Sequence, residues 1–208
     1  IFSAGDGSGK EMSFGIGSAN QLHCYNYTSG DNFRVLTTRV LRDPSAWYHI
    51  LCRYDSSNGT SADRVQLFIN GERQTALATD TQPSQSFTAD FWSYNGLHYI
   101  SRYPLSGANY MDGYLAEAYS LDGQAIGPEY FGETNALTNQ WQPTNPTDVK
   151  QAVTFGTNGF YLPFSNDALA TSFTDADYHI PHTSITAEGA ANTSTAEKKF
   201  GTTSFLGN

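Results

Sequence analysis

Two runs decide the fold: Ala46-Trp47-Tyr48-His49-Ile50-Leu51-Cys52-Arg53-Tyr54-Asp55 and, after a loop of Ser, Asn and Gly, Arg64-Val65-Gln66-Leu67-Phe68-Ile69-Asn70-Gly71-Glu72-Arg73-Gln74-Thr75. Each is dense in aromatic and β-branched residues and closed by turn formers, the local chemistry of strands. Asn70-Gly71 between two such runs signals a tight hairpin, because both central residues of the favoured turn need positive φ. The expectation is two antiparallel strands, with a third over residues 72–75 folding back on the second. Val65, Leu67 and Ile69 alternate with Arg64, Gln66 and Phe68, so one face is apolar and the other mixed. That predicts a half-buried sandwich strand.

Outward from this stretch, strand candidates lie at residues 1–4, 12–16, 21–27 and 32–38, and downstream at 97–102, 112–121 and 159–164. Residues 5–10 read as a turn: a phosphate-cradling loop needs a Lys-Ser/Thr ending and a following helix. Gly127-Pro128-Glu129-Tyr130-Phe131-Gly132 fits one helical turn, with Pro128 at its first position. Residues 133–158 are linker-like, and nothing shows sustained helical periodicity. The pattern is all-β, with about ten short strands at the spacing of a sandwich or jelly roll.

A chain of 208 residues with 38% hydrophobic and 14% aromatic residues can bury one generous β domain despite a mean hydropathy of -0.45. Its net charge of -9 argues against nucleic acid or anionic lipid as a partner. No apolar run approaches the roughly 18 residues of a membrane span. The start at Ile1-Phe2, with neither Met nor signal peptide, leads us to expect a segment of a longer protein. Cys24 and Cys52 both fall in strand-like runs, and two readings stay open: buried free thiols, or a bridge between strands. The long polar stretch 79–95 carries Phe87, Phe91, Trp92 and Tyr94, which either tuck back as a plug or offer a binding surface.

Trp47-Tyr48-His49-Ile50 ending in Asp55, followed by Val65-Gln66-Leu67-Phe68-Ile69-Asn70-Gly71, resembles the paired signature of laminin-G-like and pentraxin-like domains of the concanavalin A-like jelly-roll superfamily. Asp112-Gly113-Tyr114-Leu115-Ala116-Glu117, Asp122-Gly123 and Tyr130-Phe131-Gly132-Glu133 resemble its closing strand and short helix. With Phe2-Ser3-Ala4-Gly5-Asp6-Gly7, Arg42-Asp43-Pro44-Ser45 and Asn158-Gly159-Phe160-Tyr161-Leu162, the set is similar to the version found in structural and tail-associated proteins of marine tailed phages. The resemblance implies a two-sheet antiparallel jelly-roll sandwich over residues 1–165 whose opening strand is missing, with a linker at 166–182. Its usual Phe-Gly-x-x-Ser opening motif lies instead at Phe200-Gly201-Thr202-Thr203-Ser204. Residues 183–208 then open a second unit or supply the strand that covers the bare edge of the first.

Hydrolases of this superfamily use two carboxylates about two positions apart on one strand. No strand here has that pattern; Glu117 has no partner at plus or minus two and reads as a structural hydrogen-bond acceptor. His49, expected mid-strand, reads as a satisfied core histidine, and His23, His98, His179 and His182 have no metal-ligand spacing. Many laminin-G-like domains bind calcium, so the resemblance allows Ca2+ at loop carboxylates among Asp6, Asp31, Asp55, Asp63 and Asp90. The sequons at Asn26, Asn58 and Asn192 matter only in a secretory eukaryote. The reading is a non-enzymatic phage virion module, a tail fibre, appendage or decoration, whose partners are other virion proteins, copies of itself or a host surface glycan. If it binds sugar, the residues are Trp92, Tyr94, Asn95, Tyr103 and Asn109. The alternatives are a polysaccharide depolymerase on the same fold and a calcium-dependent adhesion domain.

Overall fold

The computed structural model describes residues 1–5, 9–103, 110–164, 172–173 and 185–186. It forms two compact units, Ile1–Ala46 with Leu51–Asp112, and Trp47–Ile50 with Gly113–Asn208.

The first unit holds a six-stranded and a three-stranded antiparallel sheet. The larger consists of β1 (Phe2–Gly5), β2 (Lys10–Ile16), β3 (Gln21–Thr28), β4 (Asp31–Val40), β8 (Leu77–Thr81) and β9 (His98–Ile100), in the order β8-β4-β3-β2-β1-β9. The smaller consists of β5 (Ile50–Tyr54), β6 (Val65–Ile69) and β7 (Glu72–Arg73). Alternation in β1 to β4 sorts the side chains. Phe2, Ala4, Met12, Phe14, Leu22, Cys24, Phe33 and Val35 share the inner face and are buried. β6 lies against β3 and β4 there, and Phe33 meets Tyr54 of β5 with ring centroids 5.7 Å apart. This is the expected antiparallel sandwich, held by apolar burial between its sheets.

The Asn70-Gly71 hairpin forms as expected, with φ of 49° and 78° and Ile69 paired to Glu72. Two details differ. The strand containing Cys52 starts at Ile50, so Trp47 to His49 precede it in irregular backbone. All five residues of β6 are buried, so it is not half-exposed. Gln66 tolerates this because its amide donates to Asp63 at 2.8 Å.

The segment after β8 is less irregular than its composition implies. Asp90–Ser93 forms a short helix, α1, and its aromatic neighbours turn inward. Phe91 stacks on Phe2 at 6.4 Å and meets Tyr54 at 5.9 Å, while Phe87 meets Phe33 edge-on. For these two rings the plug reading describes the geometry. The edge of β1 is not bare: β9 pairs with it, Ser3 opposite Tyr99. Residues 187–208, with the Phe-Gly-x-x-Ser motif, lie outside the described residues, as do Asp6, His179, His182 and Asn192.

In the second unit the strand expected over 112–121 is confined to β10 (Ala118–Ser120), the part that finds a partner in β13 (Phe160–Leu162). Asp112 to Tyr114 are exposed and unpaired as strand. The one-turn helix at Pro128–Tyr130 is present. The linker-like stretch contains β11 (Gly132–Thr134), β12 (Trp141–Pro143) and α2 (Pro146–Ala152). α2 is too short for a periodic signal. It is specified at its start, where Asn145 accepts from the Thr147 N–H at 2.9 Å and Pro146 occupies the first turn.

Candidate functional site

The outer face of the six-stranded sheet is polar and aromatic. Strand register places Tyr99, Ser3, Ser13, Tyr25, Arg34 and Thr81 in one row across all six strands. Glu11 and Tyr27 pair on one side of that row, and His23 opposite Leu36 lies on the other. The same alternation that buries Met12 and Phe14 inside turns Glu11 and Ser13 outward, and Leu22 and Cys24 likewise alternate with His23 and Tyr25.

These groups are linked. The Tyr25 hydroxyl donates to Tyr103, and Tyr103 donates to Glu11 Oε2 at 2.6 Å. Burial, and behind it the carboxylate of Glu11, pushes both phenols up. Arg34 lies over the Tyr25 ring at 4.4 Å and forks onto Asp31 at 2.8 and 2.9 Å. That fork holds the Asp31 carboxyl below its ordinary value and raises Arg34. Ser13 Oγ and His23 Nε2 are 3.0 Å apart. Burial, then nearby positive charge, lowers His23 to about 4, which makes it a weak base at neutral pH. Arg102 closes the β9 side, 4.6 Å over Tyr99 and 5.9 Å from the exposed Tyr110. Ser3, Glu11, Ser13 and Tyr25 are themselves buried, so the face exposes in part the rings of Tyr27, Tyr99 and Tyr103 and the guanidinium plane of Arg34, with the Glu11 carboxylate behind them. Such groups can stack on a sugar ring and hydrogen-bond to its hydroxyls.

The residues expected from sequence to bind sugar divide around this sheet. Tyr103 is on the outer face, in the phenol relay. Tyr94 is half-buried, its ring 6.1 Å from His98, and His98 in turn lies 5.9 Å from Phe2 on the inner-face side. Tyr94 and Tyr103 are therefore on opposite sides of the sheet. Asn95 is exposed beside Tyr94. The backbone of Trp92 is in α1, whereas its side chain and the whole of Asn109 lie outside the described residues. Sequence reading passed over Glu11, Ser13, Tyr25 and Arg34 and weighed His23 only as a metal ligand, although the two-residue alternation of β2 to β4 was a usable signal for them.

The calcium candidates do not converge. Asp31 binds Arg34, Asp55 accepts from Ser57 at 2.6 Å, Asp63 binds Arg73 at 2.7 Å, and Asp90 accepts from Asn26 at 2.8 Å. Among the described residues no three His, Cys, Asp or Glu side chains gather as a metal site. The sequon residue Asn26 is wholly buried with its amide engaged. Among the described residues no helix is long and apolar enough to cross a membrane.

In the second unit, Glu117 is buried just before β10 and accepts from the Tyr119 hydroxyl at 2.9 Å. Tyr119 stacks on Tyr161 at 4.5 Å, and burial followed by Glu117 raises its phenol. His49 is buried and stacks on Trp141 at 5.0 Å, and desolvation lowers it to about 3. It occupies the core place expected of it, in a loop.

A laminin-G-type family model, described as the concanavalin A-like lectin/glucanases superfamily, matches residues 1–124. No curated protein and no solved structure matches the chain. The matched span contains the whole six-stranded sheet and the hairpin facing it, and the chain belongs to the concanavalin A-like lectin/glucanases superfamily.

Proposed function

We propose that this chain is a non-catalytic carbohydrate-binding module, serving in its parent protein as an adhesive or structural part of a phage virion. The observation that carries the binding reading is the outer sheet face, where the half-buried Tyr99, Tyr103 and Arg34 lie over the buried Tyr25 and Glu11, and Tyr103 is held in place by its hydrogen bond to Glu11. Membership of a superfamily that includes lectins supports it. The virion setting rests on the motif resemblance, with other virion proteins, further copies or a host surface glycan as partners. In support of a non-catalytic role, Glu11 and Glu117 each accept from a phenol, a structural use of a buried carboxylate.

The test is a glycan array followed by titration calorimetry on the best binder. Tyr103→Ala should lose at least about tenfold in affinity, roughly 1.4 kcal/mol or more, with an unchanged circular-dichroism spectrum. Tyr94→Ala with Asn95→Ala reports separately on the rim beside β9. A folded wild-type protein that binds no glycan would remove the carbohydrate reading and leave the structural one.

A further inference from the structure

Cys24 is wholly buried on the inner face of β3, paired in register with Phe14 and Val35. Cys52 lies on β5 in the facing sheet and is half-buried. The strand geometry brings them together. Tyr54, two residues beyond Cys52 and on the same face of β5, meets Phe33. Phe33 is the register partner of Asn26, two residues beyond Cys24 on the inner face of β3. Cys52 and Cys24 therefore lie on the facing sides of the two sheets, each two residues from this aromatic junction. The two thiols are near enough to perturb one another, and both are free. A disulfide joining the two sheets is compatible with sandwich packing, since antibody domains carry an inter-sheet disulfide across their core.

We propose that Cys24 and Cys52 form a redox-convertible pair, oxidised in a thiol-oxidising medium to a disulfide that staples the two sheets of the first unit. Glutathione disulfide is the oxidant by which the step is written. Cys52, the nearer to solvent, loses its proton and attacks one glutathione sulfur; a Cys52–glutathione bond forms and one glutathione thiolate leaves. The Cys24 thiol then gives up its proton and attacks the Cys52 sulfur; the Cys24–Cys52 bond forms and the second glutathione departs as its thiol. The protein loses two protons and two electrons, and the oxidant gains them as two glutathione thiols. Burial, followed by the neighbouring Cys52 thiol, pushes the Cys24 thiol well up, which fixes the order: Cys52 attacks first and Cys24 resolves.

The test incubates the native protein with glutathione disulfide, then measures intact mass without reductant and the melting temperature. The expected product is lighter by about 2 Da. Closing a loop of roughly 30 residues should raise Tm by about 10 °C, and dithiothreitol should reverse both changes. Cys24→Ala should stop at one glutathione bound to Cys52, and Cys52→Ala should give neither adduct nor bridge. Should the buried Cys24 variant fail to fold, the wild-type mass decides alone. A native protein that stays fully reduced, or that halts at the one-glutathione adduct, overturns the proposal. An internal disulfide that lowers Tm overturns the staple.

Discussion

One buried amide fastens the aromatic plug to the sheet, and its loss should be measurable. Asn26 is 0% exposed; its Nδ2 donates to Asp90 Oδ2 at 2.8 Å and its Oδ1 accepts from the Asp90 N–H at 2.7 Å. Asp90 opens α1, so this reciprocal pair sets Phe91 against Phe2 and Tyr54. Asn26→Ala removes one neutral hydrogen bond, about 1 kcal/mol, one to a carboxylate, about 1.5 to 3 kcal/mol, and a long one to Asn32 Oδ1 at 3.4 Å that adds little. The expected total is about 2.5 to 4 kcal/mol, seen as a lower urea midpoint at unchanged m. In a chain of this size that is a fall in Tm of about 5 to 16 °C. Asp90→Ala breaks only the side-chain half, about 2 kcal/mol. A double-mutant cycle should return a coupling of about 1.5 to 3 kcal/mol. Backbone amides at residues 90–93 should also exchange faster in Asn26→Ala. If the two substitutions simply add, with coupling below about 0.5 kcal/mol, the amide does not hold the helix and the reasoning fails.

Two further outcomes concern acid stability and helix α2. His23 and His49 are lowered from 6.5 to about 4 and about 3; below pH 6.5 the unfolded chain takes up protons that the folded chain refuses, so stability falls with pH until the folded values are reached. At pH 4 each site should have cost about 3 kcal/mol relative to pH 7. His23→Gln, which retains a partner for Ser13, should flatten that acid limb in urea titrations between pH 6.5 and 4; an unchanged slope would clear His23 of the effect. Asn145→Ala removes the side-chain cap of α2 and should lower stability by about 1 kcal/mol. Asn145→Asp should restore most of it, and equal Tm values for all three proteins would show that the cap contributes nothing.

The sequence by itself determined what depends on neighbours along the chain. Alternation in residues 1–40, the Asn70-Gly71 turn and the Gly127-Pro128 start all act within a few residues, and the sheets, the hairpin and the helical turn follow from them. The residues 47–71 signature led to the superfamily without any structure. Tertiary structure decided what depends on partners distant in sequence. Only pairing with β13 shows that residues 112–117 are not strand, and only β9 shows where the edge of β1 is covered. The candidate site divides in the same way. Tyr103 could be named from its loop, but its meaning comes from Glu11, 92 residues away. Tyr94, named by the same argument, lies on the other side of the sheet, where its ring meets His98, a placement set by tertiary packing that local composition does not encode. Cys24 and Cys52 each read as one strand residue in the sequence, and packing of one sheet on the other made them a pair.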